Sequence, residues 1–293
     1  MGSKNKPVIG ILAQEIARNV IPENIAGSAY ISSVYVKFME SLGADVVPIP
    51  TDCDSEDLTK TFASINALLI PGGGASLTDS KFMRNLKFLY ELAMAANDGG
   101  DYFPIWGICL GFEALLVLCE GISILTEADA LNLSMPTIFT ENAEKSKTFA
   151  AADERLMNLF CNEPVKYHYH KKCVEMENFL HSPGITSQYS ALCYDEDRTK
   201  KCFVSLIEGR KYPFYGVQWH PEKILHDMTP GLRIPRSKEA EVASEFLGNF
   251  FINEATKNQH AFQSCDEKQR YLIQNYNEYY TGELNRIQYA YIF

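Results

Sequence analysis

Apolar and polar positions alternate along the first third of the chain with the rhythm of strand-helix units. Val8-Ile9-Gly10-Ile11-Leu12 is a short apolar run behind a proline and predicts a buried strand. From Ala26 to Leu42, apolar side chains recur at Tyr30, Val34, Phe38 and Leu42, which predicts an amphipathic helix stopped by Gly43. Ala44 to Pro50 reads as a second strand through Val46, Val47 and Ile49, with prolines 48 and 50 biasing it toward a strand end or edge. A short helix is expected over Asp57 to Phe62. A third strand, Ala67-Leu68-Leu69-Ile70, runs into Pro71-Gly72-Gly73-Gly74. Phe82, Leu86, Leu89 and Ala93 line one side of a helix from Phe82 to Ala96. Phe103 to Ile108 then reads as a buried strand entering Cys109 and an apolar helix through Leu118. This β-α-β-α-β-α-β order predicts a parallel sheet with helices on both faces.

Residues from about Gly121 to Lys201 are less regular. Alternation in Ser134 to Phe139, and again from Cys173 to Phe179, predicts antiparallel strands added to the sheet. Phe203 to Glu208, the turn Gly209-Arg210-Lys211, and Tyr212 to Trp219 read as a hairpin whose second strand ends in Gln218-Trp219-His220-Pro221-Glu222. Ala240 to Ala255 is expected to be a long helix. The tyrosine-rich segment beyond Ser264 reads as an extension wrapped on the surface. With no repeat or low-complexity linker, residues 1–293 are expected to form one domain, and Met1-Gly2-Ser3-Lys4 reads as a cloning remnant.

Composition narrows the function classes. The 293 residues carry a net charge of −10, which argues against a general nucleic-acid binder but leaves room for an anionic small substrate met by a few local cations. No apolar run approaches the length of a membrane span. Eight cysteines are scattered without a Cys-x-x-Cys pair or His-x-x-x-His spacing, so no structural metal is expected. Asn132-Leu133-Ser134 is a single glycosylation triplet.

Three segments carry candidate chemistry. Gly107-Ile108-Cys109-Leu110-Gly111 places a sulfur on a tight strand-to-helix turn, where small neighbours relieve crowding and a helix start favours thiolate over thiol. A lone cysteine is otherwise an ordinary small core residue. His220 and Glu222, two apart around Pro221, are able to lean the same way, so that the carboxylate fixes one ring nitrogen while the other takes a thiol proton. The N–H groups of Leu110 and of Gly72, Gly73 or Gly74 are candidate oxyanion donors.

Taken in order, Pro71-Gly72-Gly73, Gly107 to Gly111 and Gln218 to Glu222 resemble the class I glutamine amidotransferase-like superfamily. Asp101 to Trp106, Phe112-Glu113, Tyr212 to Val217, Asn253-Glu254-Ala255, Tyr279 to Gly282 and Tyr291-Ile292-Phe293 narrow the resemblance to the γ-glutamyl hydrolase family, over nearly the whole chain. The resemblance implies a flavodoxin-like α/β fold, with a central mostly parallel sheet flanked by helices on both faces, added antiparallel strands and a C-terminal extension. It implies cleavage of γ-linked glutamate from folylpoly-γ-glutamates and antifolate polyglutamates, in lysosomes or after secretion, by a homodimer that needs no cofactor or metal. Cys109 takes the place of the nucleophile, His220 of the base and acid, and Glu222 of the orienting carboxylate. Leu110 and Gly73 form the oxyanion hole in this reading. His170 matches a family histidine linked to substrate binding. Lys171, Lys223, Arg210 and Gln218 are candidate partners of the substrate's α-carboxylates, and Gly72 is a further candidate for substrate binding. Glu113 is a candidate for its α-ammonium or amide, and Tyr35 and Trp219 are candidates to flank the cleft.

Water as the second substrate follows from the lack of a visible synthetase segment. The competing expectation is a glutaminase subunit feeding ammonia to a separate synthetase. A silent binding protein and a DJ-1-like chaperone or protease share the scaffold, but neither accounts for the combined Cys109, His220 and Glu222 set.

Overall fold

The computed structural model describes residues 6–16, 25–282 and 287–293, so the segment read as a cloning remnant lies outside it. In chain order the elements begin β1 (Val8–Leu12), β2 (Gln14–Glu15), β3 (Ala29–Ser32), α1 (Ser33–Ser41), β4 (Asp45–Ile49), α2 (Ser55–Phe62), β5 (Ala67–Ile70) and α3 (Lys81–Asp98). Next come β6 (Ile105–Ile108), α4 (Leu110–Glu120), β7 (Thr126–Met135), β8 (Ile138–Phe139), α5 (Glu154–Asn162), β9 (Lys166–Cys173), α6 (Met176–His181) and α7 (Pro183–Thr186). The last are β10 (Tyr189–Glu196), β11 (Cys202–Gly209), β12 (Phe214–Val217), α8 (Glu222–His226), α9 (Lys238–Ala255), α10 (Cys265–Tyr271), β13 (Glu278–Tyr280) and β14 (Tyr289–Ile292). The class is the expected α/β one, a central mostly parallel sheet with flanking helices and added antiparallel strands. The chain divides into two compact units: Met1–Ile105 with Asp227–Thr229 and Phe251–Phe293, and Trp106–His226 with Pro230–Phe250.

In the first unit, β4, β1 and β5 lie side by side and parallel, with Ile9 opposite both Val46 and Ala67. Every residue of β1 and β5 is buried, which is why both read as continuous apolar runs rather than alternating ones. At Gly10 in β1 a Cβ would sit 2.5 Å from the Ile65 side chain, so a larger residue there would require that side chain to shift. The helices start where side chains can cap them: Asp54 accepts from the Glu56 and Asp57 N–H groups, and Ser80 from Met83 N. The expected apolar side of α3, formed by Phe82, Leu86, Leu89 and Ala93, is fully buried. Asn66 ties the chain's later part to β1, accepting from Val8 N at 2.8 Å and donating to the His260 carbonyl at 2.8 Å.

Two expectations are corrected here. The helix predicted from Ala26 begins only at Ser33, because Ala29-Tyr30-Ile31-Ser32 is strand β3. The tyrosine-rich tail is a surface wrap only in part, since α10 and β13 are largely exposed but the segment ends in a sheet. Its last strand, β14, is an inner member of a four-stranded antiparallel sheet in the order β13-β14-β3-β2. Ile292 lies opposite Tyr30 and Tyr291 opposite Ile31, and Tyr30, Ala290 and Ile292 form a small core of their own. The four-residue apolar spacing is real, but backbone pairing with the far end of the chain overrides it.

In the second unit the strand order is β6-β12-β11-β10-β8, with each successive pair from β12 to β8 antiparallel, and β7 and β9 form a separate antiparallel ribbon. The expected hairpin forms as β11 and β12, with Leu206 opposite Val217, although its second strand stops before Gln218. Pro136 splits the strand expected over Ser134 to Phe139 into the end of β7 and the short β8. The strand expected through Cys173 to Phe179 ends at Cys173; α6 follows, and the three-residue spacing of Met176 and Phe179 is helical.

Asn132, the residue of the glycosylation triplet, sits at a bulge between β7 and β9 with φ 54°. Its side-chain oxygen accepts from the Tyr167 hydroxyl at 3.0 Å and from Arg233 N at 2.6 Å, while its amide donates to the Gly231 carbonyl. Among the described residues no helix is long and apolar enough to cross a membrane, no His/Cys/Asp/Glu group is placed to hold a metal, and no two of the eight cysteines form a disulfide.

Because β14 is internal and Ala290 fully buried, Ala290→Asp is expected to cost about 3 kcal/mol or more in chemical denaturation. A change below about 0.5 kcal/mol would mean that β14 is not a core strand.

Candidate active site

Cys109 sits between β6 and α4 at φ 53° and ψ −104°, a conformation that L-residues adopt only where surroundings enforce it. The enforcing contact is the close passage of strand and helix. A Cβ at Gly107 would lie 2.5 Å from the Gly111 oxygen and 2.8 Å from the Phe112 nitrogen, so only glycine fits. The Cys109 N–H donates to the Val217 carbonyl at 2.8 Å, which pins the elbow to the end of β12. From that point Gln218, Trp219, His220, Pro221 and Glu222 turn into α8.

The His220 ring and the Glu222 carboxylate are both buried, with Nδ1 2.7 Å from Oε1. A carboxylate accepts only, so this contact places a ring proton on Nδ1, and in the neutral ring the lone pair is then on Nε2. The His220 N–H in turn donates to the Tyr167 carbonyl of β9 at 2.9 Å. Glu113, one turn into α4, is buried and accepts from Gln218 Nε2 at 3.0 Å. Cys109, Glu113, Gln218, His220 and Glu222 thus gather where β6 and β12 end, the edge at which sites form in such sheets.

In the first unit, the glycine loop after β5 is organised by two side chains. Tyr35 is buried and its hydroxyl accepts from Gly72 N at 2.8 Å. Gln14 donates to the Gly72 carbonyl at 2.9 Å and accepts from Gly74 N at 3.0 Å and Ala75 N at 3.2 Å. A Cβ on Gly73 would meet the Gln14 amide at 2.0 Å, so a larger residue there would have to displace the side chain that organises the loop. With the Gly72 and Gly74 amides so engaged, Gly73 is the member of the triplet suited to donate to a ligand.

A profile of the peptidase C26 family matches residues 7–222. The chain is 39% identical over 288 residues to the human protein "Gamma-glutamyl hydrolase", covering 98% of this chain and 90% of that one. To "Gamma-glutamyl hydrolase B" of Dictyostelium discoideum it is 35% identical over 292 residues, covering 99% and 83%. This chain belongs to the peptidase C26 family. The fold of this C26 member is also that of the glutaminase domain of Trypanosoma brucei CTPS with bound acivicin, at TM-score 0.52 and 14% identity, covering 87% of this chain and 96% of that one.

The remaining candidates of this C26 chain are placed unequally. Lys223, on α8, is close enough to Cys109 to favour the thiolate electrostatically. Lys171 is exposed, on the opposite face of β9 from His170. Its neighbour Lys172, which sequence reasoning passed over, acts on the Glu113 carboxylate while holding Glu127 at 2.5 Å. Arg210 lies in the turn between β11 and β12, at the opposite end of β12 from Gln218, and donates to the Thr186 carbonyl. His170 is buried with both ring nitrogens engaged, by His168 and by the Lys172 carbonyl. Trp219 is core, with the Lys166 ammonium 5.0 Å from its ring centre. Gln14 was missed outright, since the only signal for it is a polar residue just past a buried strand.

The electrostatics correct one expectation. Burial, followed by the Glu113 and Glu222 charges, pushes the Cys109 thiol well above its ordinary range, and the Leu110 N–H and Lys223 only partly oppose this. The resting sulfur is therefore a thiol rather than the thiolate expected from a helix start. Burial also raises Glu113 to about 8, although the Gln218 hydrogen bond favours its charged form.

A carboxyl that keeps its proton in the fold to about 8, against 4.5 ordinarily, lends stability that is full below pH 4.5 and lost as pH rises to 8. Glu113→Gln is therefore expected to flatten the loss of stability across that window, a difference on the order of a few kcal/mol in denaturation midpoints taken at pH 5 and pH 8. Identical pH dependence in both proteins would show that Glu113 is ordinary.

Proposed function

We propose that this chain is a γ-glutamyl hydrolase that removes γ-linked glutamate from folylpoly-γ-glutamates and antifolate polyglutamates. The observation that carries the reading is the His220–Glu222 pair beside a cysteine held at positive φ, in a chain whose C26 relatives carry that name. Cys109 is the nucleophile, His220 the base and then the acid, and Glu222 fixes the His220 tautomer. On substrate binding, His220 Nε2 takes the thiol proton as sulfur attacks the γ-carbonyl. The oxyanion is held by the Leu110 N–H with Gly73 as second donor. His220 then protonates the leaving amine, and water activated by the same ring hydrolyses the γ-glutamyl thioester. The high resting position of the thiol fits this order, with proton transfer coupled to attack.

Substrate recognition is assigned to Glu113 and Gln218, which form one hydrogen-bonded pair beside the sulfur. A neutral Glu113 donates to an α-carboxylate, whereas an ionised one accepts from an α-amide. Lys223, with Lys171 further out, meets the anionic chain; Gly72, on its Tyr35 support, shapes the loop; His170 acts from behind β9. The C26 match crosses both compact units, which supports reading residues 1–293 as one domain. Lysosomal or secreted localisation and a homodimer complete the proposal, on family resemblance.

The test is release of glutamate from pteroylpentaglutamate at mildly acid pH. Cys109→Ala is expected to abolish it, and Glu222→Gln to lower kcat about 10³-fold with KM little changed, because the amide holds the wrong tautomer. Equal turnover by wild type and Cys109→Ala, or ammonia release from free glutamine in place of this reaction, would falsify the assignment.

A further inference from the structure

Gln14 of β2 is buried, and its amide is turned wholly to the glycine loop. Nε2 donates to the Gly72 carbonyl at 2.9 Å, while Oε1 accepts from Gly74 N at 3.0 Å and Ala75 N at 3.2 Å. A carbonyl only accepts and a backbone N–H only donates, so the amide has one orientation here. The strand that carries it is itself tied down. Gln14 lies opposite Tyr30 of β3, and the next residue, Glu15, accepts from the Lys81 and Phe82 N–H groups at the start of α3.

The Gly72 carbonyl and the Gly73 N–H belong to one peptide plane. That peptide is trans, so the two groups point in opposite directions. Holding the carbonyl against Gln14 therefore aims the Gly73 N–H away from it, and Gly73 is exposed. With glycine on both sides, no Cβ stops this plane from turning over. Turned over, it would present the Gly72 oxygen where the N–H now points, and a carbonyl oxygen repels an anion. Tyr35 holds the plane before it, through Gly72 N, and Oε1 holds the plane after it, through Gly74 N. Among the described residues, the bond from Gln14 Nε2 is what holds the plane between them.

We propose that Gln14 is a positioning residue of the hydrolysis: its amide selects the loop conformer that offers an N–H, rather than a carbonyl oxygen, to the ligand. This role rests on the reading of Gly73 as the second oxyanion donor. Charge on the γ-carbonyl oxygen develops only as sulfur adds, so what Gln14 secures is an interaction of the transition state. Its loss falls on kcat and leaves substrate binding nearly as it was.

Two variants of the full chain separate this role from simple packing, with pteroylpentaglutamate as substrate at pH 7. Gln14→Met fills the space and leaves the peptide free to turn. Gln14→Glu keeps the acceptor for Gly74 and Ala75, whose N–H groups favour its ionised form, and sets a second anionic oxygen against the Gly72 carbonyl. The expected fall in kcat is about ten-fold for Gln14→Met and about a hundred-fold or more for Gln14→Glu, with KM within about two-fold of wild type in both. Packing alone predicts the reverse order, because glutamate is nearer to glutamine in shape. A fall in Gln14→Met as deep as in Gln14→Glu, a change confined to KM, or kcat kept within about three-fold in both variants would overturn the role. Failure of the wild type to release glutamate would instead sink the hydrolase reading, whereas normal wild-type turnover with unaffected variants sinks the role of Gln14 alone.

Discussion

The hydrogen bond from the Cys109 N–H to the Val217 carbonyl is the contact on which the site depends. It registers the end of β6 against the end of β12, and so brings a cysteine and a His-Pro-Glu turn, far apart in the chain, to one place. The elbow itself is held by sterics. Gly107 lets the strand pass against the Gly111 backbone, and that closeness leaves Cys109 its positive φ. Neither constraint alone makes a site. The glycine contact permits the elbow, and the backbone bond fixes it against the end of β12.

The site also sets charges against one another. Two buried carboxyls, Glu113 and Glu222, flank the sulfur, and both work against its ionisation. With such neighbours the resting sulfur keeps its proton. Glu222 therefore has two effects: it holds Nδ1 of His220, and its charge discourages a free thiolate.

How much of this was legible from residues alone follows from the range of each interaction. The elbow and the His220–Glu222 pair are local, and local spacing revealed them. The βαβ order was equally clear, because buried parallel strands such as β1 and β5 have no polar face to confuse the pattern. Strand β3 was taken for helix because the partner that makes it a strand, β14, lies at the other end of the chain. The thiolate expectation failed for a related reason: a helix start is visible in sequence, whereas burial and neighbouring carboxylates are not.

The inner position of β14 has one more consequence. Its neighbour β3 leaves the ribosome early, yet the pairing Tyr30–Ile292 and Ile31–Tyr291 must wait until Tyr289–Ile292 has emerged. During synthesis the β2–β3 edge therefore stays open to chaperones or to other nascent chains, and the antiparallel sheet is sealed only once β14 has been made.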